Sequence, residues 1–317
     1  MDNLGIVFPG QGSQYVGMGR ELYEGFKETR EIFAEAEEAL NTNLAKLCFE
    51  GPQDVLDLTP NTQTAVLTVG VALYRVFEKE IGIEPEAMAG HSLGEYAALC
   101  ASGAIGFSDA VKLVHARGRY QQEAVPQGKG CMAAIIGLDR GSVEEICRNT
   151  DKDHGVVALA NINSPGQFVV SGNTAAVEKA IVLAKGKGAR MGIKLPISVP
   201  CHCNLLDEAA EKLEKDLDNV LIKKCRVKVI PNFDPEALHS IGTTRKLLAR
   251  QLNSPVRWQE TVERMYKMGI TTVVEIGPKR TLSSLIKRID SRIKTLNIED
   301  MASLKTTIDF FNGDEAA

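Results

Sequence analysis

A serine flanked by glycines stands in the stretch MAGHSLGEY, residues 88–96. Gly90, Ser92 and Gly94 fit the G-x-S-x-G pattern, in which a nucleophilic serine lies on a sharp turn between a strand and a helix. Glycines suit such a turn because it leaves little room for Cβ atoms beside the serine. The pattern is short enough to occur by chance, so other residues must decide between a nucleophile and a polar residue at a helix start.

A serine hydroxyl becomes a good nucleophile only when a base takes its proton, and the chain contains five histidines. His202 follows a predicted strand in the segment SVPCHC, where the chain returns from an inserted segment. A purely structural histidine is the alternative there, but pairing with Ser92 makes His202 the leading base. His91 is expected to point away from Ser92, His115 to face solvent, and His154 to lie in a charged loop.

Backbone N–H groups that face the developing oxyanion are usually a large catalytic contribution, about 3 kcal/mol for one donor. In folds with a serine on such a turn, the residue after the serine supplies one donor, here Leu93. The glycine-rich segment FPGQGSQ follows the predicted strand at residues 4–8 and suggests Gln11 as the second donor. An ordinary glycine-rich turn is the alternative interpretation.

A helical projection of residues 110–125 places an arginine within an apolar face. Arg117 lies near the middle of that face, and Gln121 lies one turn further on. A guanidinium keeps its charge, so its burial requires an anionic or hydrogen-bonded partner. That partner is either a carboxylate of the chain, in a structural ion pair, or a substrate carboxylate held by two parallel hydrogen bonds.

Alternating strands and helices predict an α/β protein with a large, hydrolase-like body and a mostly parallel sheet. In the middle of the chain the predicted order becomes β-α-β-β-α-β, which is typical of a ferredoxin-like subdomain. We therefore expect a catalytic body formed by residues 1–127 and 200–317, with an inserted ferredoxin-like subdomain at residues 128–199. A cleft between the two is the expected place of the active site.

The composition, with 44% hydrophobic and 25% charged residues in a chain of 317, is that of a globular protein. A formal net charge of -4 gives no general basic field, so no nucleic-acid partner is expected. No apolar run approaches the roughly 20 residues of a membrane helix, and no signal-peptide pattern is found. The odd number of cysteines, without paired C-x-x-C motifs, favours a cytoplasmic location and no metal site.

The motifs together resemble those of malonyl-CoA:acyl carrier protein transacylases, an acyltransferase family of fatty acid and polyketide synthesis. The resemblance covers nearly the whole chain, and the order and spacing of several separated segments agree with it. These segments are FPGQGSQ at 8–14, NTQTA at 61–65, GHSLGEY at 90–96, RGRYQQEAVP at 117–126, NSPGQFVVSG at 163–172, SVPCHC at 198–203, QLNSPVRW at 251–258 and EIGP at 275–278.

The resemblance implies that Ser92 carries the malonyl group as an ester and that His202 is the general base and, later, the general acid. It implies a Ser-His pair in which a backbone carbonyl near Gln251, rather than an acidic residue, orients the histidine. It also implies that Gln11 and Leu93 donate the N–H groups of the oxyanion hole.

Further roles follow from the same resemblance. Arg117 would bind the malonyl carboxylate, in agreement with the helical projection, and Gln63 and Asn163 fall in segments that line the family's pocket. The implied reaction transfers malonyl from malonyl-CoA to the phosphopantetheine thiol of acyl carrier protein, in type II fatty acid synthesis. It requires no metal and no bound cofactor, because coenzyme A enters as part of the substrate.

Two residues depart from the family pattern. Cys201 occupies a position often held by serine, and Gln121 one often held by methionine. Both changes leave the catalytic groups in place, but they alter the polarity of the expected acyl pocket. Selectivity among malonyl and other short acyl groups therefore stays open.

Three other functions also fit parts of the sequence. A discrete acyltransferase of a polyketide synthase would use the same chemistry with a different carrier. A Ser-His-Asp thioesterase or esterase would use a late histidine, His239, as its base. A non-catalytic scaffold would bind the carrier protein without acquiring an acyl group.

Acyl carrier protein is acidic, so we expect a basic surface that receives it. Two groups of basic residues are candidates, although each also fits an ordinary solvated face. The groups are Lys185, Lys187, Arg190 and Lys194 in the inserted segment, and Lys279, Arg280, Lys287 and Arg288 near the C-terminus.

Overall fold

The computed structural model describes residues 3–126, 128–197 and 199–313. The first of these ranges forms, in order, β1 (Leu4–Phe8), α1 (Arg20–Gly25), α2 (Lys27–Leu40), α3 (Leu44–Glu50), α4 (Gln53–Leu56), α5 (Thr59–Glu80), β2 (Ala87–Gly90), α6 (Gly94–Ala101) and α7 (Phe107–Ala124). The second forms β3 (Gly130–Ile136), α8 (Arg140–His154), β4 (Val157–Ser164), β5 (Gln167–Asn173), α9 (Thr174–Gly186) and β6 (Met191–Lys194). The third forms a 3₁₀ turn (Asn204–Leu206), α10 (Asp207–Asp218), β7 (Lys228–Ile230), α11 (Thr244–Leu252), α12 (Trp258–Lys267), β8 (Thr272–Ile276), α13 (Thr281–Ile289), β9 (Lys294–Ile298) and α14 (Met301–Asn312).

A parallel sheet with strand order β7-β2-β1-β8-β9 forms the centre of the body. Successive side chains of β1 enter apolar cores on opposite faces of this sheet. Ile6 and Phe8 pack with residues of α5 and α6, whereas Val7 packs with Trp258 and other residues of α12 and α13. Helices on both faces explain why every residue of β1 is buried, as in other parallel sheets.

A second, antiparallel sheet has the strand order β4-β5-β3-β6. Its apolar cluster includes side chains of α8 and α9, which cover one face. Together with the order of elements along the chain, this arrangement is ferredoxin-like. The predicted α/β class, the mostly parallel body sheet and the separate ferredoxin-like subdomain are confirmed.

The exact division of the chain remains a proposal. We propose that residues 1–127 and 200–317 form the body and residues 128–199 the subdomain; of the residues beside these boundaries, 127 and 198 lie outside the described ranges. The separate apolar cluster of the second sheet supports the division. Met132 and Val169, however, belong to the core cluster of the body, so the two units share apolar contacts.

His154, expected in a charged loop, is instead the last residue of α8. None of the helices in the described ranges combines the length and the apolar character that a membrane span requires.

Candidate active site

Ser92 occupies the turn between β2 and α6 and has a left-handed backbone, with φ of 52°. The flanking glycines are required by close backbone contacts. A Cβ atom at Gly90 would lie 1.9 Å from the carbonyl carbon of Gly94, and one at Gly94 would lie 2.1 Å from the carbonyl oxygen of Phe8. A left-handed backbone at a non-glycine residue costs roughly 1–3 kcal/mol, so the surrounding structure must hold it.

Two side chains hold the backbone of Ser92. The Ser92 N–H donates to Oδ1 of Asn232 at 2.6 Å, and Nδ2 of Asn232 donates to the carbonyl oxygen of Gly90, also at 2.6 Å. The carbonyl oxygen of Ser92 accepts from Nε2 of Gln251 at 2.8 Å. Asn232 follows β7 and lies in none of the sequence motifs that predict the site.

A buried carboxylate supports both of these residues. Glu95 Oε2 accepts from the Asn232 N–H at 2.8 Å and from Nε2 of Gln251 at 2.9 Å. Glu95 Oε1 lies 2.9 Å from Nε2 of His239, and both of these side chains are fully buried. The other ring nitrogen of His239 lies 3.2 Å from Oγ1 of Thr244. His239 therefore supports the turn, and the alternative in which it is the base for Ser92 does not fit the structure.

His202 is the histidine that contacts the serine. Its Nε2 lies 2.8 Å from Ser92 Oγ, and its Nδ1 lies 2.9 Å from the carbonyl oxygen of Gln251. A carbonyl oxygen only accepts hydrogen bonds, so Nδ1 carries the proton and Nε2 is left to accept from the serine hydroxyl. The pair thus has the geometry of a nucleophile and its base, with a carbonyl as the orienting group.

The environment of His202 favours its neutral form. Burial of the ring, and then the positive charge of Arg117, lower the pKa of His202 to about 3. Neutral imidazole is the form that can take the proton from Ser92.

Arg117 is 1% exposed and contacts neutral groups. Its Nη1 donates to Oε1 of Gln63 at 2.8 Å, and its Nη2 donates to Oε1 of Gln251 at 3.0 Å and to Ser92 Oγ at 3.1 Å. None of the Asp or Glu side chains in the described ranges forms an ion pair with Arg117, and its Nε has no hydrogen-bond partner there. The structural ion pair is therefore not found in the described part of the chain, and the charge of the buried guanidinium is balanced only by neutral hydrogen-bond acceptors there.

The two expected oxyanion donors lie on neighbouring loops. Phe8 of β1 pairs with Gly90 of β2 in the parallel sheet, so the loop of Gln11 and the turn of Ser92 leave the sheet side by side. No described residue accepts a hydrogen bond from the backbone N–H of Gln11 or Leu93. Both N–H groups are thus available to a substrate oxygen.

Asn163 contacts His91. Its Oδ1 is 2.9 Å from Nε2 of His91, and both residues line a cavity of about 200 Å³ beside the loop of Gln11. Burial lowers the pKa of His91.

A larger cleft has a volume of about 1130 Å³. It is lined by residues of the body, such as Gln11 and Lys279, and by residues of the second sheet, such as Lys194. Of the predicted site residues, Gln11 lines this cleft, whereas Ser92, His202 and Arg117 are not among its lining residues.

The described part of the chain contains no group of three or more His, Cys, Asp or Glu side chains placed to hold a metal ion. In the run Cys201-His202-Cys203, the histidine is engaged with Ser92 and with the Gln251 carbonyl.

A serine on a strand-turn-helix elbow, a histidine in hydrogen-bond contact with its hydroxyl and a buried arginine beside it are the arrangement expected of a serine-dependent acyltransferase. Residues 6–306 match the family described as acyl transferase domain. The malonyl CoA-acyl carrier protein transacylase of Bacillus subtilis (strain 168) is 44% identical over 97% of this chain and 97% of its own. The malonyl CoA-acyl carrier protein transacylase of Escherichia coli (strain K12) is 42% identical over 98% of this chain and 100% of its own.

Solved structures agree with these relatives. The malonyl CoA-acyl carrier protein transacylase of Coxiella burnetii is 44% identical, with a TM-score of 0.94 over 97% of each chain. A malonyl-transacylase in complex with a type II polyketide synthase acyl-carrier protein is 42% identical, with a TM-score of 0.95 over 97% of this chain and 99% of its own. The chain belongs to the malonyl CoA-acyl carrier protein transacylase family.

The contacts of Asn232 lead to a first prediction. Replacement by alanine leaves the Ser92 N–H without its acceptor and releases the Gly90 carbonyl, so the turn loses this support. We expect Asn232→Ala to slow modification of Ser92 by phenylmethylsulfonyl fluoride about 10- to 100-fold, measured by intact-protein mass spectrometry. Asn219→Ala, which removes an exposed amide bonded to the Lys215 carbonyl, is the matched control and should react at the wild-type rate. Equal rates in both variants and wild type would contradict a positioning role for Asn232.

Proposed function

We propose that the protein transfers a malonyl group from malonyl-CoA to the phosphopantetheine thiol of an acyl carrier protein, in type II fatty acid synthesis. One observation supports malonyl as the acyl group. Nη2 of the buried Arg117 lies 3.1 Å from Ser92 Oγ and its other contacts are neutral. The carboxylate of an acyl group on Ser92 can reach this guanidinium only if it lies close to the ester carbon. In a malonyl group, a single CH₂ group separates the carboxylate from the ester carbon.

The first half-reaction loads the serine. His202 Nε2 takes the proton of Ser92 Oγ as the oxygen attacks the thioester carbon. The developing oxyanion is received by the backbone N–H groups of Gln11 and Leu93. The carbon–sulfur bond then breaks, His202 returns its proton to the sulfur, and coenzyme A leaves a malonyl ester on Ser92.

The second half-reaction runs the same steps in reverse. The carrier's thiol gives its proton to His202 and its sulfur attacks the ester carbon, after which Ser92 Oγ leaves and recovers the proton. Each step is assigned to a group of the chain or of the substrates, so the proposal includes no metal and no resident cofactor.

The glutamines are proposed to hold the charged groups in place. Gln251 contributes twice, because its backbone carbonyl orients His202 and its side-chain oxygen accepts from Arg117. Gln63 accepts from the other terminal nitrogen of Arg117. Asn163, next to His91, borders the small cavity that we assign to the thioester end of the pantetheine arm.

The docking surface for the carrier remains a proposal. Lys194 and Lys279 both line the large cleft, and Lys194 also forms an exposed ion pair with Glu178. We infer that an acidic carrier docks at this rim, where the cleft would admit its phosphopantetheine arm. Binding should then weaken as salt concentration rises.

A carrier of a polyketide system is the second candidate, and the solved relative bound to such a carrier favours it. The chemistry at Ser92 is the same in both cases. We also propose a cytoplasmic location, which is supported by seven cysteines that form no disulfide within the described ranges.

Arg117 gives the test of the acyl group. Removing the guanidinium removes the partner of the malonyl carboxylate but leaves Ser92 and His202 intact. We expect Arg117→Ala to lower kcat/KM for malonyl transfer to holo-carrier about 100-fold or more, with a much smaller effect on acetyl transfer. Arg119→Ala, on the exposed side of the same helix, is the control and should leave both unchanged. If Arg117→Ala impaired malonyl and acetyl transfer equally, recognition of the carboxylate would be the wrong explanation.

The lowered pKa of His202 gives a pH prediction. A base whose pKa lies below the usual value of about 6.5 stays neutral, and therefore active, as the pH falls through 6.5. We expect kcat/KM for the loading of Ser92, followed by rapid-quench mass spectrometry, to stay flat between about pH 8 and 5.5. An acid limb with an apparent pKa near the ordinary histidine value would show that the ring is not held neutral in the free enzyme.

A further inference from the structure

A lysine from a distant part of the chain contacts the loop that carries Gln11. Nζ of Lys279 donates to the carbonyl oxygen of Gly12 at 3.1 Å, although the two residues are 267 positions apart. Both residues line the large cleft. The positive charge of Lys279 therefore lies against the backbone one residue beyond the expected oxyanion donor.

Hydrogen bonds connect this carbonyl to the oxyanion donor itself. The carbonyl of Gly12 and the N–H of Ser13 belong to one peptide group, and this N–H donates to the carbonyl oxygen of Gly10 at 3.3 Å. The carbonyl of Gly10 and the N–H of Gln11 belong to another peptide group, whose N–H has no acceptor among the described residues. Two peptide groups in series thus separate the ammonium from the expected oxyanion.

All of these hydrogen bonds point the same way. A cation at the carbonyl end of a peptide group makes the N–H at its other end a better donor, and bonds in such a chain strengthen one another by roughly 10–30% each. The charge of Lys279 therefore favours negative charge on an oxygen that accepts from the Gln11 N–H. This is the oxygen on which charge develops during the reaction.

The end of the chain of bonds near the nucleophile is fixed by close packing. A Cβ atom at Gly10 would lie 2.3 Å from the carbonyl oxygen of His91, so Gly10 packs directly against the residue before Ser92. The Gly10 carbonyl oxygen also accepts from Oγ of Ser13 at 2.7 Å. The peptide group that carries the Gln11 N–H is thus held beside the serine.

The other end is anchored through the backbone of Lys279. Its N–H donates to Oε1 of Glu299 at 2.8 Å, and the same oxygen accepts from the hydroxyl of Tyr15, which follows in the loop of Gln11, at 2.8 Å. Lys279 has a left-handed backbone, with φ of 65°, a conformation that favours glycine. A lysine in this conformation points to a use for its side chain.

We propose that Lys279 is a positioning residue of the oxyanion hole, whose charge strengthens the Gln11 N–H as a donor through the peptide groups of Gly12 and Gly10. The proposal rests on the proposed function, in which that N–H receives the oxyanion. It concerns the formation of the tetrahedral intermediate and not the choice of acyl group. It therefore applies to any acyl ester that Ser92 attacks.

The test uses the purified full chain and p-nitrophenyl acetate, an ester with neither a phosphate nor a carboxylate. Acetylation of Ser92 releases p-nitrophenolate, and Ser92→Ala gives the blank for release elsewhere on the protein. In excess ester the first-order rate constant does not depend on the fraction of folded enzyme.

Two substitutions separate the charge of Lys279 from its length. Lys279→Met keeps a long side chain without the ammonium, and we expect acetylation of Ser92 about fivefold slower, a modest factor because the ammonium is exposed and partly screened. Lys279→Arg keeps a charged donor and should stay within about twofold of wild type. Lys305→Met, which removes the charge of an exposed lysine of α14, is the matched control and should react at the wild-type rate.

Three results would overturn the proposal. An unchanged acetylation rate in Lys279→Met would show that the lysine does not act on the oxyanion hole. A loss seen with malonyl-CoA but not with p-nitrophenyl acetate would make Lys279 a phosphate-binding residue instead. A loss in Lys279→Arg as large as in Lys279→Met would show that the charge is not the cause.

Failure of the proposed function would look different. Wild type would then acetylate Ser92 from p-nitrophenyl acetate but transfer no malonyl group from malonyl-CoA to holo-acyl carrier protein. The comparison of Lys279 variants with the simple ester would still report on the oxyanion hole in that case.

Discussion

A buried positive charge without a carboxylate partner is the constraint around which this site is built. Arg117 projects from the apolar face of α7, and it is held by the side-chain oxygens of three glutamines and by the hydroxyl of Ser92. Such an ion is costly to remove from water, and neutral acceptors offset only part of that cost. In the proposed function, an acyl group that brings its own carboxylate supplies the missing charge and so gains binding energy next to Ser92.

Gln251 connects this charge to Ser92 and His202. Its backbone oxygen orients the imidazole of His202, its side-chain oxygen accepts from Arg117, and its NH₂ group bonds to Ser92 and Glu95. Glu95 in turn contacts Asn232 and His239. One buried network therefore fixes the strained turn and the base together, which keeps a reacting geometry without an acidic residue beside the histidine.

The sequence predicted the parts of the site that depend on local rules. Close backbone contacts require the glycines around Ser92, and helical periodicity placed Arg117 on a buried face, so both were visible in the chain itself. The contact of Ser92 with His202 spans 110 residues, and it was anticipated because the inserted segment ends just before the histidine. The βαββαβ order also predicted the second sheet, since it depends on local hydrophobic patterns.

Other features depend on tertiary packing and had no local signal. Asn232 has no motif, and its role arises because β7 lies next to β2 in the sheet. His239 was a plausible base by its position late in the chain, but a buried carboxylate from α6 engages it instead. The contact between Gln121 and Cys201 likewise joins residues that are 80 positions apart.

The most direct test is whether Ser92 becomes covalently acylated. Intact-protein mass spectrometry after brief mixing with malonyl-CoA should show one malonyl adduct on wild type and on Ser284→Ala, which removes an exposed serine of α13. Ser92→Ala should show none. An adduct that persists on Ser92→Ala, or a wild-type protein that neither gains an adduct nor releases coenzyme A, would contradict the account.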